Sequence, residues 1–176
     1  MELNAPDLWE SAARLTLSLV FSAAIGWERE HKGRPAGLRT HILVAIGATG
    51  FTLIALEVSG ASIAAGISPP FDPGRILSTI IGGIGFLGAG AILHSRHRVH
   101  GLTTAASIWA VAAIGMACGC GLYALTVLMT VLCLVTLVAI KQIEDKWFDD
   151  DDDATVREAA AEAKPAVDGE GDRADR

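Results

Sequence analysis

Five runs of roughly 20 apolar residues, each long enough to cross a hydrocarbon core of about 30 Å, constrain this chain more than any other feature. They lie at Leu8–Gly26, Leu38–Leu56, Ile76–Leu93, Thr103–Gly119 and Leu122–Ile140. Lipid offers the backbone no hydrogen-bond partner, so runs of this length fold as helices. The expected fold is all-α, a polytopic membrane helix bundle of about five transmembrane helices. With 51% of its residues hydrophobic, the chain is too apolar for an ordinary soluble domain.

Charge orients the bundle. The net charge of -6 is misleading, because residues 149–176 hold 11 acids and 4 bases and the rest of the chain is close to neutral. The connection Trp27–Gly37, followed by Arg39, and the connection His94–His100 are rich in basic residues, whereas Glu57–Arg75 carries one and Gly119–Gly121 none. Short cytoplasmic loops collect Lys and Arg. The amino terminus is therefore expected outside and the carboxyl terminus in the cytoplasm. An acidic start (Glu2, Asp7, Glu10) is unlike a signal peptide, so the first run is expected to stay as a span. Beyond Trp147 the unbroken run Asp149–Asp153 and the Ala, Glu, Gly and Pro after it offer little to bury. The expected division is a transmembrane domain at 1–148 and an acidic disordered cytoplasmic tail at 149–176.

The third run carries Gly82, Gly83, Gly85, Gly88 and Gly90. Gly83-x-Gly85-x-x-Gly88 matches the dinucleotide fingerprint in letters, yet the run is apolar throughout and no acid occurs between Asp72 and Glu144. Nucleotide binding is rejected, and the residues point to no other cofactor and to no nucleic-acid partner. At 100° per residue Gly82, Gly85, Gly88 and Ala89 share one side of a helix, and Gly83 and Gly90 another. Small residues let helices approach closely in lipid. These glycines are the candidate helix-packing or partner-binding surface, with the third span expected at the centre of the bundle.

Charges near the spans form two further candidates, because a buried ion in lipid tends to find a partner. On the external side Arg14, Glu57, Asp72 and Arg75 form a candidate ion-pair cluster. Arg14 is expected to pair with Asp72 or Glu57, and Asp72, just before Pro73, to cap a helix. On the cytoplasmic side Glu28, Arg29, Glu30, Arg39 and His41 are expected to face Thr103, Thr104, Ser107 and Trp109. No catalytic group is assigned: Ser107 has no histidine that the sequence places at a matching depth. Metal ligation is not assigned either, since His94, His97 and His100 have helix-compatible spacing but no carboxylate nearby. Cys118, Cys120 and Cys133 sit in apolar surroundings and are read as small buried hydrophobes.

Five stretches carry a family resemblance in order: Gly26-Trp27-Glu28-Arg29-Glu30, Ala36-Gly37-Leu38-Arg39-Thr40-His41, Asp72-Pro73-Gly74-Arg75-Ile76, Gly83 to Ile92, and Gly101-Leu102-Thr103-Thr104-Ala105-Ala106 with Trp109. Together, over roughly residues 10 to 140, they resemble the bacterial MgtC/SapB family. The resemblance implies a multi-pass protein of the bacterial inner membrane linked to magnesium limitation and, in intracellular pathogens, to survival in macrophages. It further implies regulation of membrane partners, such as the F-type ATP synthase or an ion transporter, rather than magnesium transport. The family's best-studied branch carries a folded cytoplasmic domain where this chain has the acidic tail. The expected function is a non-enzymatic regulator in the lipid bilayer, with homo-oligomers possible. The alternative is a small transporter or channel for magnesium or another cation. An intramembrane hydrolase is the third class, weakened by the missing base.

Overall fold

The computed structural model describes residues 7–68, 72–95 and 98–140. The expected acidic tail lies outside them. The chain divides into two units, Met1–Leu134 and Val135–Arg176.

In the first unit, α1 (Leu8–His31), α2 (Leu38–Ala64), α3 (Pro73–Ala91) and α4 (Leu102–Gly119) are each long and apolar enough to cross a membrane. The chain is a multi-pass membrane helix bundle. The fifth run forms a shorter apolar helix, α5 (Tyr123–Val135). In the second unit the described residues beyond Val135 form a π-helical turn at Thr136–Ile140.

Local chemistry sets the ends. The Asp7 carboxylate accepts the Glu10 N–H at 2.7 Å and opens α1. Asp72 accepts the Gly74 N–H at 3.0 Å ahead of Pro73, so the cap expected for α3 is present. Helix α2 runs eight residues past the expected Leu56, because Ser59 to Ala64 holds no breaker other than Gly60. It ends where Gly66 takes φ +70°. Glu57 is therefore helical rather than part of a linker.

The basic connection between α3 and α4 is a short antiparallel hairpin, β1 (Leu93–Ser95) and β2 (Arg98–His100), with Leu93 opposite His100. The helical histidine spacing does not apply there, and His97 lies outside the described residues. Gly101, at φ +89°, turns the chain from the hairpin into α4.

The core is α1, α2 and α4. Gly115 sits where an added Cβ would come within 2.5 Å of the Ala45 carbonyl oxygen, and a Cβ on Gly119 would meet Thr52 at 2.7 Å. These are close approaches of the α4 backbone to α2. Among the described residues helix α3 packs on one side, against α2 and α4, and 6% of its span is buried compared with 61% for α4. The expectation of a central third span is thereby corrected. The glycines that close the core are Gly115 and Gly119, a small-xxx-small pair on α4.

Candidate functional site

A seam of polar side chains runs along the buried core. On α1 it comprises Arg14, Ser18, Ser22 and Arg29, which recur on one helix face. Helix α2 contributes His41, Thr49, Thr52 and Ser59, and α4 contributes Thr104 and Ser107. At mid-depth Thr49 joins three helices. Its hydroxyl oxygen lies 2.8 Å from the Ser18 hydroxyl, 2.9 Å from the Gly115 carbonyl and 2.8 Å from the Ala45 carbonyl of its own helix. One hydroxyl proton serves one carbonyl at a time, while the Ser18 hydroxyl can donate to the Thr49 oxygen.

At the basic end His41 is fully buried. Its Nδ1 lies 2.8 Å from the Gly37 carbonyl, which can only accept, so Nδ1 carries the proton of the neutral ring. Nε2 then presents its lone pair to Ser107 Oγ, 3.1 Å away. The Ser107 hydroxyl also reaches the Thr104 carbonyl of its own helix at 2.8 Å. His41 is thus the histidine at the depth of Ser107 that sequence reasoning does not place. Ser107 and His41 are 5% and 0% exposed, and neither lines the adjacent 410 Å³ hollow that Thr104 borders. The pair is a buried link between α2 and α4.

Next to it Arg29, 2% exposed, is held by Glu28 through two contacts of 2.5 and 2.9 Å, and Lys32 reaches the same carboxylate at 2.9 Å. Glu30 serves the backbone instead, since its carboxylate accepts the Leu38 N–H at 2.7 Å and closes the amino end of α2. Of the expected cluster, the structure brings together Glu28 with Arg29, and His41 with Thr104 and Ser107. Arg39, Thr103 and Trp109 are exposed instead.

At the opposite end Arg14 is buried, but not with the expected partners. Its guanidinium donates to Glu10 at 2.5 Å and to the Gly119 carbonyl at 2.5 Å. Glu10 stands one helical turn away on the same face. The last carbonyls of α4 are the free acceptors of a helix end. Both are closer than an acid on another helix. Glu57 is exposed and borders a 380 Å³ groove with Leu8 and Ser11. Asp72 borders a separate 300 Å³ cavity with Thr52, Leu56 and Cys120, and Arg75 is exposed in the first turn of α3.

The five glycines from Gly82 to Gly90 divide differently from the expectation. Gly88 is buried, and a Cβ added there would meet Ala105 of α4 at 3.8 Å, an ordinary contact distance. Gly83 and Gly90 line hollows beside α2. Added Cβ atoms on Gly82 and Gly85 would meet nothing within 4 Å. Ser78, Gly82, Gly85 and Ala89 are all exposed and lie within about 60° of one another around the helix. They form a small-residue stripe turned away from the bundle.

Residues 15–146 match the family model described as the MgtC family. The chain belongs to the MgtC family. It is 41% identical over 139 residues to Protein SrpB of Synechococcus elongatus, covering 74% of this chain and 75% of that protein. It is 40% identical over 134 residues to the Escherichia coli K12 protein named "Putative magnesium transporter YhiD", covering 76% of this chain and 62% of that one. Similarity to Protein MgtC of Brucella abortus strain 2308 is 38% over 136 residues, 77% of this chain and 53% of that protein. The chain thus spans between half and two-thirds of the length of the latter two. No solved structure matches it.

Proposed function

We propose that this MgtC-family protein is a non-enzymatic regulator of the bacterial inner membrane that acts in magnesium homeostasis by docking a helix of another membrane protein. The outward stripe of α3 carries this reading. Ser78, Gly82, Gly85 and Ala89 leave a flat path along a helix that, among the described residues, packs on one side. Between helices in lipid, such close approach is what drives association. The name of the Escherichia coli relative, a putative magnesium transporter, supplies the link to magnesium. The orientation follows from the basic connections, with the amino terminus outside.

The interior seam favours regulation over cation passage. Its carboxylates, Glu10 and Glu28, are bound to Arg14 and Arg29, and the guanidiniums are the more deeply buried partners. A divalent cation moving along the seam would meet hydroxyls and two fixed positive charges, whereas magnesium demands near-octahedral oxygen ligands. A second reading, a small cation carrier, is favoured by the continuity of buried polar groups along three helices and by the name of YhiD.

Purified protein in sealed vesicles separates the two. The regulator reading expects no magnesium flux above empty vesicles and a co-purifying membrane protein that is lost in Gly85→Leu. Flux that disappears in Arg14→Ala would overturn it in favour of the carrier.

A further inference from the structure

An apolar groove runs between α2 and α3, on the face of α3 opposite its small-residue stripe. Its main part, an open groove of about 580 Å³, lies between Leu43, Gly47 and Phe51 of α2 and Ile80, Gly83 and Leu87 of α3. Towards the basic end it meets the 410 Å³ hollow, with which it shares Val44 and Leu87 and which is bordered by Pro35 and Thr40. The residues immediately before these two, Arg34 and Arg39, are exposed and make no ion pair among the described residues. The neighbouring Lys32 and Arg29 are both engaged by Glu28.

We propose that this groove holds one acyl chain of an anionic phospholipid whose phosphate sits between Arg34 and Arg39. Wall chemistry and the charge at the mouth point to an acyl chain, and from Ile76 to Leu87 the groove follows α3 for about 16 Å. The walls are aliphatic or aromatic apart from Thr79, whose hydroxyl is spent on the Arg75 carbonyl of its own helix at 2.9 Å. An aliphatic chain therefore leaves no polar group unpaired. The mouth is cationic, which selects the headgroup: basic residues at the membrane surface favour anionic lipids, each by about fivefold.

Added Cβ atoms on Gly47 and Gly83 would meet nothing within 4 Å, so larger side chains there fill the groove without clashing with the fold. The full chain, delipidated in detergent and offered phosphatidylglycerol or phosphatidylcholine, is read by native mass spectrometry. The expected result is one retained phosphatidylglycerol per chain, preferred over phosphatidylcholine by on the order of 20-fold at low salt. Gly47→Leu with Gly83→Leu removes retention of both lipids, and Gly83→Leu alone serves if the double variant does not fold. Arg34→Gln with Arg39→Gln keeps retention and removes the preference. Equal retention of the two lipids by the unaltered chain overturns the proposal, as does undiminished retention in a folded groove-filled variant. Loss of a crosslinked dimer in the groove-filled variants would make the occupant a second copy and overturn it too. The site lies on a different face of α3 from the proposed docking stripe, so lipid retention and partner capture fail independently.

Discussion

Helices α3 and α4 are neighbours of nearly equal length, both apolar and both marked by glycine, yet they do opposite things with it. Helix α4 turns Gly115 and Gly119 inward, where the backbone of α2 comes so close that a methyl group at Gly115 would overlap the Ala45 carbonyl. Helix α3 carries five glycines in nine residues, and for Gly82, Gly83, Gly85 and Gly90 an added Cβ would find open space. In lipid there is no hydrophobic penalty for leaving an apolar face outside, so glycine density does not say which helix is central. What distinguishes α4 is company: its glycines share their buried face with Thr104, Ser107 and Cys118, whereas those of α3 have exposed apolar neighbours such as Phe86.

The largest effect that can break this contrast is at Gly115. Replacing it by leucine forces a side chain into the Ala45 backbone, which cannot rotate away. Gly115→Leu should destabilise the bundle by about 3 kcal/mol or more, beyond the usual range for overpacking. Denaturation in mixed micelles reads the loss. A variant as stable as the parent would mean that α2 and α4 do not meet as described.

Next in size is the link between the same two helices at the basic end. His41→Leu removes the ring and with it two hydrogen bonds, one to the Gly37 carbonyl and one to the Ser107 hydroxyl, while the Gly37 carbonyl keeps the backbone N–H of residue 41 at 3.2 Å; the two bonds together are worth about 2 kcal/mol. Ser107→Ala should cost about 1 kcal/mol, since the Thr104 carbonyl remains bonded within its helix. The two losses should not add in the double variant, because both act on one contact. Strict additivity would show that His41 and Ser107 do not share a bond.

Much of the architecture is legible in the sequence. Apolar length marks the starts of the spans to within three residues but not their ends, since α2 runs eight residues past the expected one, and Asp72 before Pro73 announces the start of α3 through local chemistry alone. Which faces meet is less legible. Arg14, Ser18 and Ser22 step by four along α1, and Gly115-x-x-x-Gly119 stands open to view in α4; both signals outweigh the glycine count of α3. That His41 faces the start of α4 is legible from the shared basic side of the bundle, but its bond to Ser107 has no local trace, because 66 residues separate them and the packing of α2 on α4 brings them together. The expected pairing of Arg14 with a distant acid passes over a signal within its own run: the first span already begins at Leu8, and the i, i+4 spacing puts Glu10 one turn from Arg14.

The smallest expected change in stability sharpens the contrast most. Gly85→Leu adds a side chain where nothing stands within 4 Å, and leucine is the better helix former by up to about 1 kcal/mol in water. The isolated protein should therefore be unchanged within about 0.5 kcal/mol, in the same denaturation experiment that Gly115→Leu fails. Any loss from this substitution then has to appear outside the chain, as a membrane partner no longer captured. If Gly85→Leu instead unfolds the purified protein, α3 has a neighbour on that face within the folded unit, and the stripe is a packing surface of the same kind as the one on α4.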